Sequence, residues 1–144
     1  MSRPSSLNRP PAPAKRPCAS CPYRCDVPSG VWDASEYAKL VAYDEPDTWA
    51  QPAAVFMCHQ RDERLCAGWV AVHDMEESLS VRIAASTGLL DEHALAAVRE
   101  YSTDVPLFAS GAQAAIHGLR EIERPGQRAG DAIRKIVRKK ELSS

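Results

Sequence analysis

Long apolar runs are missing from this chain of 144 residues. No segment approaches the about 20 consecutive apolar residues that a membrane-spanning helix needs, so we expect no membrane partner. The N-terminus is basic and proline-rich and lacks the apolar region of a secretory signal, which predicts a cytoplasmic protein. Aromatic residues are few, at 6%, while 44% apolar and 26% charged residues are typical of a soluble globular domain.

Recognised catalytic motifs are also missing, and we predict no catalytic residue. The sequence contains no glycine-rich phosphate loop, no HExxH and no G-x-S-x-G segment. Pro17-Cys18-x-x-Cys21 matches one half of the zinc deaminase pattern, but no H-x-E segment precedes it, which excludes that class. An enzyme that uses Cys25 or His59 as a reactive group is the remaining catalytic hypothesis, and we favour a protein that is not an enzyme.

The five cysteines all lie within residues 18–66. An odd number of cysteines without an export signal disfavours a disulfide framework and favours metal ligands. Cys18 and Cys21 form a C-x2-C knuckle, and Cys58 and Cys66 form a looser C-x7-C pair. Four thiolates suit a tetrahedral zinc ion and equally suit an iron–sulfur cluster. We predict that these four cysteines bind a metal, with zinc favoured and an iron–sulfur cluster as the alternative cofactor.

Three further side chains are additional candidate ligands, namely Cys25, His59 and His73. Cys25 would replace one of the four cysteines or remain a free thiol. His59 is adjacent to Cys58 in an extended segment, where neighbouring side chains point in opposite directions. His73 lies seven residues after Cys66 on the same predicted helix face, and we favour a core or hydrogen-bonded role for it over ligation.

The spacing of apolar residues predicts a mainly α fold. We expect a small helical domain with a loop-rich N-terminal half that the metal holds together, and at most a short β segment near residues 53–58. Residues 1–17 are predicted to be a disordered basic tail because they contain five prolines, and residues 18–144 form the single domain. Helices are predicted from Asp33 to about Asp44, from Cys66, and over 79–87, 91–102, 111–122 and 128–141.

Two details of these predicted helices are specific. Asp33 and Glu36 have the spacing of a capping box at the start of the first helix, and Trp32 is placed to pack on Tyr37. In the 111–122 helix, an apolar stripe predicts the buried face, formed by Ala112, Ala115, Ile116, Leu119 and Ile122.

The net charge of −1 conceals an uneven distribution of charged residues. Residues 18–114 carry six basic and fifteen acidic side chains, whereas residues 115–144 carry eight basic and four acidic ones. A basic cluster on the last predicted helix suggests phosphate contacts, from Arg134, Lys135, Arg138, Lys139 and Lys140. We therefore predict a binding or regulatory module whose basic C-terminal helix contacts a nucleic acid or protein partner, and a solvated helix face is the alternative.

Four short runs of residues resemble one protein family. They are Pro17-Cys18-x-x-Cys21-Pro22-Tyr23-Arg24, Asp26-Val27-Pro28-Ser29-Gly30-Val31-Trp32, Phe56-Met57-Cys58-His59 and Cys66-Ala67-Gly68-Trp69. Together they resemble DUF6283, a family of small proteins from actinobacteria and their phages, most clearly over residues 17–74. The resemblance implies a metal-binding role for the four cysteines and implies no established activity.

Overall fold

The computed structural model describes residues 12–58 and 64–143 of the chain. Six α-helices lie in this part of the chain, together with single 3-10 turns at Thr48–Ala50 and Met75–Glu77. The helices are α1 (Ala34–Ala42), α2 (Ala67–Val72), α3 (Leu79–Ser86), α4 (Glu92–Glu100), α5 (Gly111–Leu119) and α6 (Gln127–Ser143). The predicted mainly α class and the order of the predicted helices are confirmed.

The predicted β segment near residues 53–58 is an extended chain with a single β-bridge. Met57 forms an antiparallel bridge with Leu65, and flanking backbone hydrogen bonds run from Cys58 N–H to the Arg64 carbonyl and from Cys66 N–H to the Phe56 carbonyl. Isolated bridges of this kind are the extent of β structure in the described residues, where no sheet forms. The bridge brings the segments that carry Cys58 and Cys66 side by side.

The first helix begins where the sequence predicts, but without the predicted capping box. Asp33 occupies the N-cap position of α1, yet its side chain accepts no hydrogen bond from the helix, and the Glu36 carboxylate pairs with Lys39 at 2.9 Å. The capping-box prediction is therefore wrong. A contact with the preceding loop fixes this end instead, because the Tyr37 hydroxyl accepts hydrogen bonds from the backbone N–H groups of Val31 and Trp32, each at 3.1 Å.

Helix α5 packs against α1 through a face that the apolar stripe predicted only in part. Its buried residues are Gly111, Ala114, Ala115 and Gly118, whereas Ile116 is 63% exposed. A Cβ atom at Gly118 would lie 2.1 Å from the Tyr37 ring, and one at Gly111 would lie 2.0 Å from the Leu40 carbonyl oxygen. The stripe is confirmed at Ala115 and wrong at Ile116 and Leu119, because close approach of the two helices requires glycine and alanine at the contact.

Helix α6 packs on the loop that follows the first cysteines. Val27 and Val31 from this loop form a small apolar cluster with Ala129 and Ile136 from α6. The Arg128 guanidinium also donates a hydrogen bond of 3.1 Å to the Asp26 carbonyl oxygen. The C-terminal helix therefore lies directly against the segment that carries the C-x2-C knuckle.

Residues 12–17 belong to the predicted tail, but they contact the rest of the domain. Pro13 forms a parallel bridge with Leu65, and the carbonyl oxygens of Ala12 and Lys15 accept hydrogen bonds from Leu65 N–H and the Tyr101 hydroxyl. These contacts attach residues 12–17 to the domain. Residues 1–11 lie outside the described residues, so the tail over that range stays a prediction.

Within the described part of the chain, no helix combines the length and the apolar character that crossing a bilayer requires.

Candidate metal centre

The four predicted ligands come from three segments that meet in the core. Cys18 and Cys21 lie in the loop before α1, Cys58 ends the extended segment, and Cys66 directly precedes α2. Cys21, Cys58 and Cys66 are buried, while Cys18 is partly exposed. The structure therefore brings together residues that are separated by up to 48 positions in the sequence.

Cys21 and Cys66 form the innermost pair of thiols. Their Sγ atoms lie 3.9 Å apart, within hydrogen-bond distance for sulfur. The hydrogen bond from Cys66, the largest cause, lowers the pKa of the Cys21 thiol, and the same hydrogen bond together with complete burial raises the pKa of Cys66. This hydrogen bond therefore shifts the pKa values of the two thiols in opposite directions.

Cys18 and Cys58 form a second pair beside the first. A hydrogen bond with Cys58 is the largest cause that raises the pKa of the Cys18 thiol, followed by burial. Cys18 also interacts electrostatically with Cys21 and Cys66, and Cys21 interacts with Cys58. These cross-interactions make the two pairs one cluster of four neighbouring thiols.

Backbone N–H groups from both sides of the cluster form hydrogen bonds with the sulfurs. Ser20 bonds to Cys18 and Tyr23 bonds to Cys21, so each sulfur of the knuckle meets the amide two residues further on. Gly68 bonds to Cys21, and Trp69 bonds to Cys66. Each of these hydrogen bonds lowers the pKa of its thiol, because an N–H donor stabilises the thiolate over the neutral thiol.

Gly68 allows α2 to approach the knuckle closely. A Cβ atom at this position would lie 2.6 Å from Cys21 Sγ and 2.9 Å from the Tyr23 Cβ. Any side chain here would separate α2 from the loop and pull Cys66 away from Cys21. The sequence shows this glycine only as a residue that weakens a helix, and its close packing became apparent from the structure.

Hydrogen bonds outside the cluster fix the shape of the knuckle. The Trp32 indole N–H donates to the Ser20 carbonyl at 2.8 Å, and the Arg24 guanidinium donates to the Pro17 carbonyl at 3.1 Å. Arg24 also forms a bidentate ion pair with Asp26, at 2.8 and 2.7 Å. Arg24 therefore connects both ends of the knuckle, a role that the sequence analysis missed and that the C-x2-C-P-Y-R run could have indicated.

Aromatic side chains form the inner wall of the cluster. Tyr23 and Trp69 are almost fully buried, and Tyr23 packs edge-on against Phe56 and His73. Burial is the largest cause that raises the pKa of Tyr23. Its hydroxyl and the Trp69 indole N–H are buried without a hydrogen-bond partner in the described part of the chain, at a cost of about 1–3 kcal/mol each. Tyr23 and Trp69 therefore lower the stability of the domain through these two polar atoms while they fill the space beside the cysteines.

The four thiols fit a single metal ion in donor type and in the spacing of one pair. Four thiolates on one zinc ion, each bonded at about 2.3 Å, lie about 3.8 Å from one another in a regular tetrahedron. The 3.9 Å separation of the Cys21 and Cys66 sulfurs is close to this value. As the side chains lie, however, no group of three or more His, Cys, Asp or Glu residues among the described ones has the arrangement of a metal site.

The three additional candidates lie in different places. Cys25 is exposed, and its N–H donates to the Pro106 carbonyl. His59 lies outside the described residues. His73 is hydrogen-bonded through both ring nitrogens, to the Asp44 carboxylate at 3.0 Å and the Trp69 carbonyl at 3.2 Å. This is the hydrogen-bonded role that the sequence analysis favoured for His73.

The Asp44 carboxylate connects three elements, a role that the sequence did not predict. Its oxygens accept hydrogen bonds from the N–H groups of Gly111 and Ala112 at 2.8 and 2.7 Å, at the start of α5. Together with His73, these contacts join the C-terminal end of α1 to α5 and to the end of α2. The carboxylate belongs to the scaffold that surrounds the cysteine cluster.

The predicted basic cluster lies on α6, away from the main core. Arg134, Lys135, Arg138 and Lys139 are exposed, and Arg134 pairs with Asp131. Lys140 is also part of α6, and its side chain lies outside the described ones.

A mainly α fold that gathers four cysteines from separate loops defines a small, cysteine-centred domain. The chain belongs to the family of unknown function DUF6283, whose family model matches residues 13–139. The family prediction is thereby confirmed, whereas its actinobacterial and phage origin stays a prediction. No curated protein and no solved structure matches the chain.

Proposed function

We propose that this protein binds one metal ion, with zinc favoured, through Cys18, Cys21, Cys58 and Cys66. The observation that carries the proposal is the convergence of these four thiols, with the Cys21 and Cys66 sulfurs 3.9 Å apart. Each thiol interacts with at least one of the others, although they come from three separate segments.

The backbone around the cluster supports thiolate ligands. Zinc binds the deprotonated form of cysteine, so groups that stabilise a negative sulfur favour binding. The N–H groups of Ser20, Tyr23, Gly68 and Trp69 supply that stabilisation. Metal binding would release the protons of the four thiols, because each ligand binds as a thiolate.

The separation of the innermost pair corresponds to two thiolates on one metal atom. This arrangement occurs in a four-cysteine zinc site and at each iron of a [2Fe–2S] cluster that four cysteines hold. An iron–sulfur cluster is the alternative cofactor, and burial by Tyr23 and Trp69 is compatible with either centre.

We infer a structural role for the metal and a binding or regulatory role for the protein. Four cysteines would leave zinc without an open position for a substrate, as in structural sites. The ion would join the two loops that carry the ligands, and its binding energy would contribute to folding. We place the protein in the cytoplasm, where thiols remain reduced and available for a metal.

Metal analysis of the full-length protein tests this proposal. Protein purified without oxygen should contain one zinc per chain and show no visible absorbance. Iron with sulfide and a broad visible band would contradict the zinc proposal and support an iron–sulfur cluster as the cofactor. A protein without stoichiometric metal, after purification in the presence of added zinc, would overturn both.

Serine variants identify the ligands. Cys18→Ser, Cys21→Ser, Cys58→Ser and Cys66→Ser should each reduce the bound metal severalfold. Cys25→Ser is the matched control, because it removes an exposed thiol from the same loop and should leave one metal per chain. A metal content that falls only with Cys25→Ser would contradict the assignment.

A further inference from the structure

A cleft lies between the C-x2-C knuckle and helix α6. It has a volume of about 550 Å³, and the two residues between Cys18 and Cys21 form part of one wall while α6 forms the other. The side chains that matter for its chemistry are Ala19, Ser20, Arg128, Lys135, Arg138 and Lys139. The basic side chains of α6 that line the cleft therefore lie opposite the cysteine loop, and the two elements form one surface.

The lining of this cleft has a net positive charge. It contains four basic side chains and two acidic ones, Asp26 and Asp131, a net charge of +2. Asp26 interacts with Arg128 of the lining and is also paired with Arg24, while Asp131 is paired with Arg134, and neither Arg24 nor Arg134 lines the cleft. The cleft is therefore positive, while residues 18–114 as a whole are acidic.

The basic side chains form a row along the helix. Positions 128, 135, 138 and 139 lie along α6, and the eleven steps from the first to the last correspond to about 16 Å at the rise of an α-helix. This length matches about five nucleotides at the ~3.4 Å rise per nucleotide of one strand in a duplex. A row of this length suits an extended polyanion better than a single phosphate group. No aromatic side chain is among the described residues that line the cleft, so no base-stacking surface is present there.

The geometry points to this cleft as a binding surface for the phosphate backbone of a nucleic acid, without preference for base sequence. Lysine and arginine side chains contact phosphates, and such contacts position a nucleic acid without specifying bases. The inference rests on the cleft and its charges and does not require a metal in the neighbouring cysteine cluster. The acidic remainder of the chain would confine the nucleic acid to this face by repulsion.

Fluorescence anisotropy with labelled 20-nucleotide DNA and RNA of mixed sequence, single-stranded and duplex, tests the inference on the full-length protein. Binding should be measurable at low salt and weaken steeply as salt increases. The triple variant Lys135→Gln/Arg138→Gln/Lys139→Gln should bind at least about tenfold more weakly and lower the salt slope by about three. The control Lys39→Gln/Arg82→Gln/Arg99→Gln removes the same charge from exposed sites elsewhere and should change affinity less than about twofold.

A substitution in the knuckle separates the cleft from a simple helix face. Ala19→Glu adds a negative charge to the exposed wall of the cleft and should weaken binding about two- to fivefold. Ala53→Glu adds the same charge to an exposed loop outside the cleft and should have a smaller effect. Equal losses in the two glutamate variants, or in the two triple variants, would overturn the inference. Absence of binding at low salt, or equally tight binding of polyglutamate, would also overturn it.

Zinc content measured on the same samples distinguishes a failure of the nucleic-acid inference from a failure of the proposed zinc site. Binding with the expected variant pattern in a protein that lacks metal would support the cleft and contradict the zinc site. Stoichiometric zinc without nucleic-acid binding would support the zinc site and contradict the cleft.

Discussion

Residues 12–66, the first half of the domain, and residues 67–143, the second half, are stabilised by different kinds of contact. Residues 67–143 contain five of the six described helices, and three of those begin with a side-chain cap, at Ser78, Asp91 and Ser110. Residues 12–66 contain only α1 and one 3-10 turn among the described elements, and much of their buried surface comes from loop residues such as Tyr23 and Phe56.

The starts of the helices show the difference most clearly. Ser78, Asp91 and Ser110 each accept a hydrogen bond from an N–H three residues further on, a local contact within a few residues. Asp33 and Cys66 occupy the same position in α1 and α2 without a side-chain cap hydrogen bond, and the Cys66 thiol instead contacts Cys21. Local caps therefore start α3, α4 and α5 in the second half, whereas α2 starts at a cysteine whose contact is with the first half, and a metal would strengthen that contact most.

The largest effect is expected from loss of a predicted ligand. Cys66→Ser should lower the free energy of unfolding by more than about 4 kcal/mol, a fraction of the about 10–16 kcal/mol that structural zinc supplies. Urea denaturation followed by circular dichroism measures this. Cys25→Ser, at an exposed thiol of the same half, should change stability by less than about 0.5 kcal/mol. Equal unfolding midpoints for Cys66→Ser and wild type would contradict the account.

A smaller but still large effect is expected at the contact between α1 and α5. Gly118→Ala should destabilise the protein by about 2–3 kcal/mol, because the new methyl group overlaps the Tyr37 ring. Gly130→Ala is the matched control in helix α6, where the nearest atoms belong to the flexible Arg134 side chain at 3.5 Å. It should stabilise by up to about 1 kcal/mol, because alanine favours helix. Thermal melts that shift in the same direction for both variants would show that the close helix contact is not needed.

An intermediate effect is expected from the carboxylate that joins the two halves. Asp44→Asn should cost about 1–2 kcal/mol, because the amide can no longer accept all the hydrogen bonds from Gly111, Ala112 and His73. Asp91→Asn, at the local cap of α4, should change stability by less than about 0.5 kcal/mol, since asparagine caps a helix as well as aspartate does. Chemical denaturation of the two variants measures their free energies of unfolding. Equal losses would contradict the claim that the remote contact of Asp44 contributes more than the local cap of Asp91.

The smallest effect is expected from an exposed ion pair in the second half. Arg99→Gln removes the 3.1 Å contact with Glu76, and both side chains are more than half exposed. The free energy of unfolding should fall by no more than about 0.5 kcal/mol, because water and salt screen such a pair. A loss above about 1.5 kcal/mol in the same denaturation assay would mean that surface charge holds α4 in place.

Sequence patterns predicted the parts of the fold that depend on neighbours in the chain. The helices predicted from Cys66 and over 79–87 correspond to α2 and α3, because the spacing of apolar residues along one face is a short-range pattern. Burial of Ile116 and Leu119 on α5 was predicted wrongly, because the packing of this helix depends on Tyr37 and Leu40, about 75 residues away. Apolar periodicity reports how large side chains are distributed, and it gives no information about a contact that requires glycine.

The candidate site likewise contains residues that a local sequence pattern predicted and contacts that no local pattern predicted. The C-x2-C spacing predicted Cys18 and Cys21, because two thiols three positions apart meet within one turn. The partner of each thiol, Cys66 for Cys21 and Cys58 for Cys18, depends on the bridge between Met57 and Leu65 and on close packing at Gly68. No local pattern contains those contacts, nor the hydrogen bonds by which Arg24 connects the ends of the knuckle.

X-ray absorption at the zinc edge of the full-length protein tests the central claim most directly. The account predicts one zinc per chain with a first shell of four sulfur atoms at about 2.3 Å. A first shell that contains nitrogen or oxygen, or fewer than four sulfurs, would contradict the assignment of Cys18, Cys21, Cys58 and Cys66 as its ligands.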